Sequence, residues 1–230
     1  MNFISKIKTS NQKAISALAF GFVFSAFAAT SAMAAEYQID PAHSDVTFKV
    51  KHLGISTVMG KFDNVSGSFT VDPKKIKETK GQASIDVNSI TTSNGDRDKH
   101  LKSPDFFDVA TFPTINFTSK EVKDVNDKDS SCTLVGDLTM HGVTKEIYLK
   151  VKGGGLAKDP WGNERAAFTA IGRINRLDFG LSWNKTMETG GFVVSPEVDL
   201  VLGFEGIKKV EAPAEKKTDK PADKQVKPKK

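Results

Sequence analysis

One cysteine, Cys132, stands in the whole chain, so no disulfide can form within it and a hydrophobic core must carry the fold. It alternates with Leu134, Leu138 and Met140, which reads as a buried, inert thiol. Histidine is almost as scarce. His43, His52, His100 and His141 lie far apart, in no H-x-H or HExxH spacing, and there is no C-x-x-C pair and no G-x-S-x-G elbow. No catalytic residue, metal-ligand set or cofactor is nominated, and a protein that is not an enzyme is expected. Long apolar runs are also missing. The longest, Ala14–Ala29, is alanine-rich and falls short of the about 20 residues a membrane-spanning helix needs, so stable membrane insertion is not expected.

A net positive charge is missing from the middle of the chain. The formal net charge is +5, but Lys6, Lys8 and Lys13 sit at the start, and Glu211–Lys230 holds seven lysines against four acids. The body between them is close to neutral, with none of the basic footprint that nucleic acid requires, so no nucleic-acid partner is expected. The first residues instead carry a targeting pattern: basic start, apolar run, then Ala32-Met33-Ala34 as a small-x-small cleavage signal. We expect a signal peptide at 1–34, one domain at 35–210 and a disordered lysine-rich tail at 211–230. A soluble, exported, periplasmic protein follows.

What the body does contain is alternation. Val46, Phe48 and Val50 point one way, while Asp45, Thr47, Lys49 and Lys51 point the other. The same period places Phe69 with Val71, and Ala83 with Ile85 and Val87. Further on it aligns Phe117, then Leu134 with Leu138, then Leu149, then Phe168 with Ile174, and last Val198 with Leu200. His141-Gly142 has the form of a tight antiparallel turn. Gly153–Gly155 reads as the start of a long loop. About eight antiparallel strands imply an all-β closed barrel or a sandwich. Several inward positions are small: Ala83, Gly136, Ala166, Ala170 and Gly172. Taken alone, these are equally consistent with jigsaw packing and with a hollow.

One stretch breaks the alternation, Asn94 to Phe117. Ser93 or Asn94 can cap a short helix, with Asp96 favourably placed at its start. Ser103-Pro104-Asp105 reads as a second helical start, and Phe106-Phe107 follow at once. Phe112-Pro113-Thr114 forces an extended exit. A short charged helix with a Phe pair, set between strands, reads as a lid. Arg97 and His100 could meet an anionic or quinone head group at its mouth. The plainer reading is that Arg97 pairs with Asp96, Asp98 or Asp105 and fixes the lid. A Phe pair exposed at the mouth would be an apolar patch on which two chains could pair as a homodimer.

The pattern R-D-x-H-L-x-S-x-D-F-F-D followed by x3-F-P-x3-F, carried by Arg97, Asp98, His100, Leu101, Ser103, Asp105, Phe106, Phe107, Phe112, Pro113 and Phe117, resembles the hallmark segment of the YceI family. The likeness runs from about Tyr37 to Ile207. It implies an eight-stranded antiparallel lipocalin-like barrel with a short helical lid, binding polyisoprenoids and other long-chain lipids. It turns the small inward residues toward a channel. Val46, Phe48, Val50, Phe69, Ile85, Val87, Phe117, Leu134, Leu138, Leu149, Phe168, Ile174, Val198 and Leu200 would line that channel, and Phe106 and Phe107 would close one end. A polyisoprenoid, isoprenoid quinone or fatty-chain amphiphile is the expected partner, for carriage or sequestration. An enzyme acting on a prenyl lipid and a packed, stress-protective barrel are the alternatives.

Overall fold

Alternating segments can bury one face only by pairing edge to edge, and here they pair until the sheet meets itself. The computed structural model describes residues 34–185 and 191–209. The signal segment except Ala34, and the tail at 211–230, lie outside the described residues. The strands are β1 (Ala35–Ile39), β2 (Asp45–His52), β3 (Ser56–Phe62), β4 (Val65–Val71), β5 (Lys80–Asp86), β6 (Ile90–Thr91), β7 (Thr114–Asn126), β8 (Ser131–Met140), β9 (Val143–Lys158), β10 (Glu164–Asn175) and β11 (Val194–Lys208). One helix, α1 (Gly95–Lys102), lies between β6 and β7.

The sheet is a closed eight-stranded antiparallel barrel, although eleven strand segments build it. One edge of β11 carries two partners, β1 through Gln38↔Ile207 and β2 through Phe48↔Leu200. β1 and β2 are therefore halves of one stave, interrupted where the Asp40 side chain accepts the Ala42 N–H and Pro41 opens a single 3-10 turn. β3 and β4 form a second broken stave, since β2 pairs β3 while β1 pairs β4. β5 and β6 form a third, broken by the 3-10 turn Val87–Ser89. His141 and Gly142, at φ 51° and 76°, make the expected tight turn between β8 and β9. A barrel of this size is either filled by its own side chains or left with room for one small ligand. Among the described residues no helix is long and apolar enough to cross a membrane.

Two expectations change here. Gly153–Gly155 is not a loop: β9 runs through it to Lys158, bonded to β10, with a bulge opposite Ala167 and Phe168. Val87 is not a strand residue. The Asp86 side chain accepts the Asn88 N–H and turns the chain, so the alternation that Ile85 shares with Val87 ends one residue early.

At the end of the barrel far from α1, one arginine ties three carboxylates together on the outer surface. Arg165 donates to Asp159 (3.0 Å), Asp40 (2.9 Å) and Glu205 (2.6 Å), with the Asp159 side chain 6% exposed. Asp159 also accepts the Asn163 side chain and the backbone N–H groups of Trp161 and Asn163. The Asn163 bond, then Arg165, hold its carboxyl at about 2 rather than 3.8, against the opposing effect of burial. His43, then Arg165, lower Asp40 likewise. A carboxyl with a depressed folded-state pKa contributes stability that is present above its unfolded pKa and lost as pH falls through the folded one. The midpoint of urea unfolding should therefore drop between about pH 4 and about pH 2, and Asp159→Asn, with nothing to titrate there, should flatten part of that drop.

Candidate functional site

The lid is built from local hydrogen bonds. Asn94 caps α1 by accepting the Arg97 N–H at 3.0 Å, with Asp96 and Asp98 in the first turn and Lys99, His100 and Lys102 in the last, as the helix dipole favours. Ser103 then stops the helix: its N–H and its hydroxyl both donate to the His100 carbonyl. The second helix expected at Ser103-Pro104-Asp105 does not form, because successive turns replace it. The Phe106 N–H donates to Ser103 O, the Phe107 N–H to Leu101 O and the Phe112 N–H to Asp108 O. These turns aim the Phe pair inward. Phe106 is buried against Trp183 and His100, and Phe107 meets the Phe62 ring edge to face at 5.9 Å. Neither Phe106 nor Phe107 is therefore part of an exposed patch.

The charged lid residues bind the lid rather than the interior. Asp98 accepts the Thr92 N–H at 2.8 Å and the Thr92 hydroxyl at 2.6 Å. Arg97 bonds the same threonine through its hydroxyl (2.7 Å) and carbonyl (2.9 Å), not Asp96, Asp98 or Asp105. Burial acts to raise the Asp98 pKa, but the Thr92 bonds outweigh it and hold the carboxyl below its usual value. His100 pairs with Asp105 at 2.9 Å. Neither Arg97 nor His100 stands on the cavity wall. Asp98→Ala should destabilise the protein by about 2 kcal/mol, the scale of hydrogen bonds to a charged group. It should also speed amide hydrogen exchange across α1 more than across β8, which a mass-spectrometric exchange experiment resolves.

Beneath the lid lies a cavity of about 190 Å³. Every residue nominated as channel lining or as the closing Phe pair stands on its wall except Val87: Val46, Phe48, Val50, Phe69, Ile85, Phe106, Phe107, Phe117, Leu134, Leu138, Leu149, Phe168, Ile174, Val198 and Leu200. Val87 is fully buried in its turn and not on the wall. The small residues divide. A Cβ on Gly136 would run into the Phe117 ring and one on Gly172 would lie 2.7 Å from Leu149, so these two complete the packing. Ala83 and Ala170 face the hollow.

Sequence reasoning missed Phe62, Leu101, Met140 and Ile147, all on the wall, although each fits the alternation or the lid pattern. It also missed Arg176, which carried no signal. This arginine is 4% exposed and reaches the wall just below the lid. Its guanidinium donates to the carbonyls of Ser195 (3.0 Å), Trp183 (3.0 Å), Val194 (3.2 Å) and Leu181. Burial pushes its pKa down from the ordinary arginine value. It joins the segment carrying Trp183 to the start of β11, and Trp183 in turn supports Phe106.

Asp40, His43 and Glu205 also bring possible metal-ligand atoms within 4.8 Å of one another. Arg165 already bonds both carboxylates and supplies the positive charge there, so the group reads as an ion-pair network.

A family model described as a YceI-like domain matches residues 37–205. Protein YceI of Salmonella agona is 41% identical over 192 residues, covering 83% of this chain and 96% of the relative. The crystal structure of the Campylobacter jejuni YceI protein is 34% identical, with a TM-score of 0.59, covering 74% of this chain and 96% of the other. A structure described as a polyisoprenoid binding domain from Saccharophagus degradans, implicated in plant cell wall breakdown, shares the fold at 18% identity with a TM-score of 0.57, covering 76% of this chain and 99% of the other.

Proposed function

The chain belongs to the YceI family, and we propose that it is a periplasmic binding protein that holds a long-chain isoprenoid or quinone-like amphiphile in its barrel, for carriage or sequestration. One observation carries this reading: a cavity inside the barrel walled almost wholly by hydrocarbon side chains and roofed by a Phe pair. Such a space suits a prenyl or acyl chain, since each methylene buried contributes roughly 0.8 kcal/mol and needs no polar partner. The polyisoprenoid-binding description of the Saccharophagus neighbour supports the same ligand class. The targeting pattern at 1–34 is what supports the periplasmic location.

The two alternatives fit the geometry less well. A packed barrel leaves no such space. The group tempting for prenyl-lipid chemistry, Arg97, Asp98 and His100, is tied up with Thr92 and Asp105 and does not line the cavity. The test is to purify the full chain from an osmotic-shock fraction, extract it with organic solvent and identify the lipid by mass spectrometry. A co-purifying prenyl-chain lipid is the expected result. Recovery of no lipid, with none taken up on addition, overturns the carrier reading.

A further inference from the structure

The cavity under the lid is small for the ligand class it suits. About 190 Å³ is comparable with the roughly 150 Å³ hollow that takes one benzene ring, and below the roughly 300–1,000 Å³ of ordinary ligand pockets. A second cavity, of about 380 Å³, lies toward the opposite end of the barrel. It is lined by the ends of β4, β7 and β9, the starts of β8 and β10, and the segment between β4 and β5. Phe69, Gly81, Leu134 and Phe168 belong to both walls, so the two spaces meet at these four residues.

Two of the four are rings, set edge to face at 5.1 Å. The Phe69 ring is held on its far side by Tyr37, stacked at 5.5 Å, and by the Gly206 backbone, where a Cβ would lie 2.7 Å away. Phe168 packs on Phe204 at 5.4 Å as well as on Phe69, but the backbone beside it on β9 is glycine. Its cross-strand neighbour on β9 is Gly153, next to the bulge at Gly154, and a Cβ on Gly155 would meet nothing within 4 Å. A Cβ on Gly154 would press on Ala167 at 3.2 Å, whereas one on Gly153 would lie an ordinary 3.5 Å from Ser130, so Gly153 and Gly155 are the two that leave side-chain room, on the wall of the second cavity. The second cavity also holds the Thr79 hydroxyl, buried without a hydrogen-bond partner among the described residues, and the Cys132 thiol.

We propose that Phe69 and Phe168 form a gate between two in-line chambers, and that chain length decides which ligands open it. A short prenyl chain is housed under the lid and leaves the rings closed. A long one swings Phe168 toward Gly153 and passes into the second chamber, where its end comes to rest beside Cys132. This rests on the carrier reading of the first chamber, and it adds a second binding site and a measure of length.

Cys132 is the sole cysteine of the chain, so its alkylation reports the second chamber directly. Burial raises its pKa, so N-ethylmaleimide should be applied at mildly alkaline pH and the adduct counted by mass spectrometry. Farnesol and solanesol, short and long prenols, are compared at concentrations that saturate binding, read independently by co-elution on gel filtration. Solanesol should slow alkylation at least tenfold and farnesol less than twofold. Ala166→Leu, which fills part of the second chamber, should weaken solanesol at least tenfold and leave farnesol unchanged. Binding of both prenols with equal protection of Cys132, or an equal effect of Ala166→Leu on both, overturns the gate and leaves the carrier reading standing. Binding of neither prenol overturns both.

Discussion

Replacing Arg176 by alanine should lower the unfolding free energy by at least about 3 kcal/mol, among the largest effects of any single substitution outside the core. The reason is what the guanidinium leaves behind. Four carbonyls, those of Leu181, Trp183, Val194 and Ser195, aim at one buried cation; Val194's keeps the Asn184 side-chain amide as a second donor, and the other three lose the guanidinium once it is removed. An unsatisfied buried acceptor costs about 1–3 kcal/mol, so even partial relaxation leaves a large deficit. Lysine should rescue little, because a point charge cannot reproduce a planar fork of donors. Urea unfolding reads this as a fall in midpoint at an unchanged slope, and thermal unfolding as a fall of roughly 6–12 °C. A change within about 0.5 kcal/mol, typical of surface positions, would show that Arg176 does not hold the mouth together.

The second large effect concerns binding. Ala170 is 2% exposed and faces the chamber under the lid. Ala170→Phe should put a ring where the ligand chain lies. Excluding only two methylenes from apolar contact removes about 1.6 kcal/mol, so affinity for a prenol should fall more than tenfold. Folding should suffer little, because the ring enters an existing void rather than a full core. Ile171→Phe is the control: it changes the adjacent position, 56% exposed on the outer face, and should leave binding unaltered. Equal affinity in wild type and Ala170→Phe would place the ligand outside this chamber.

Period-two alternation made the interior readable because a barrel wall enforces it: Phe48 and Leu138 could face nowhere else once their neighbours were polar. The reading failed where a local bond outranked the period. Asp86 capped a turn and took Val87 off the wall, and Ser103 ended a helix rather than starting one. Gly153–Gly155 looked like a loop because glycine favours no strand, yet β10 supplied the ladder that held it straight. Arg176 was invisible because its burial depends on carbonyls contributed by residues five to nineteen positions away, and nothing in its own neighbourhood marks it. The division among small residues was equally out of reach. Whether a glycine faces a ring or a hollow depends on which strand closes against it.

All of this depends on hydrocarbon entering the barrel. The most direct measurement is a crystal structure of the full chain after incubation with solanesol. The account predicts a continuous tube of electron density starting beneath Phe106 and Phe107 and running between the inward faces of the strands. An unfilled interior, or a lipid seated only on the outer surface, would contradict it.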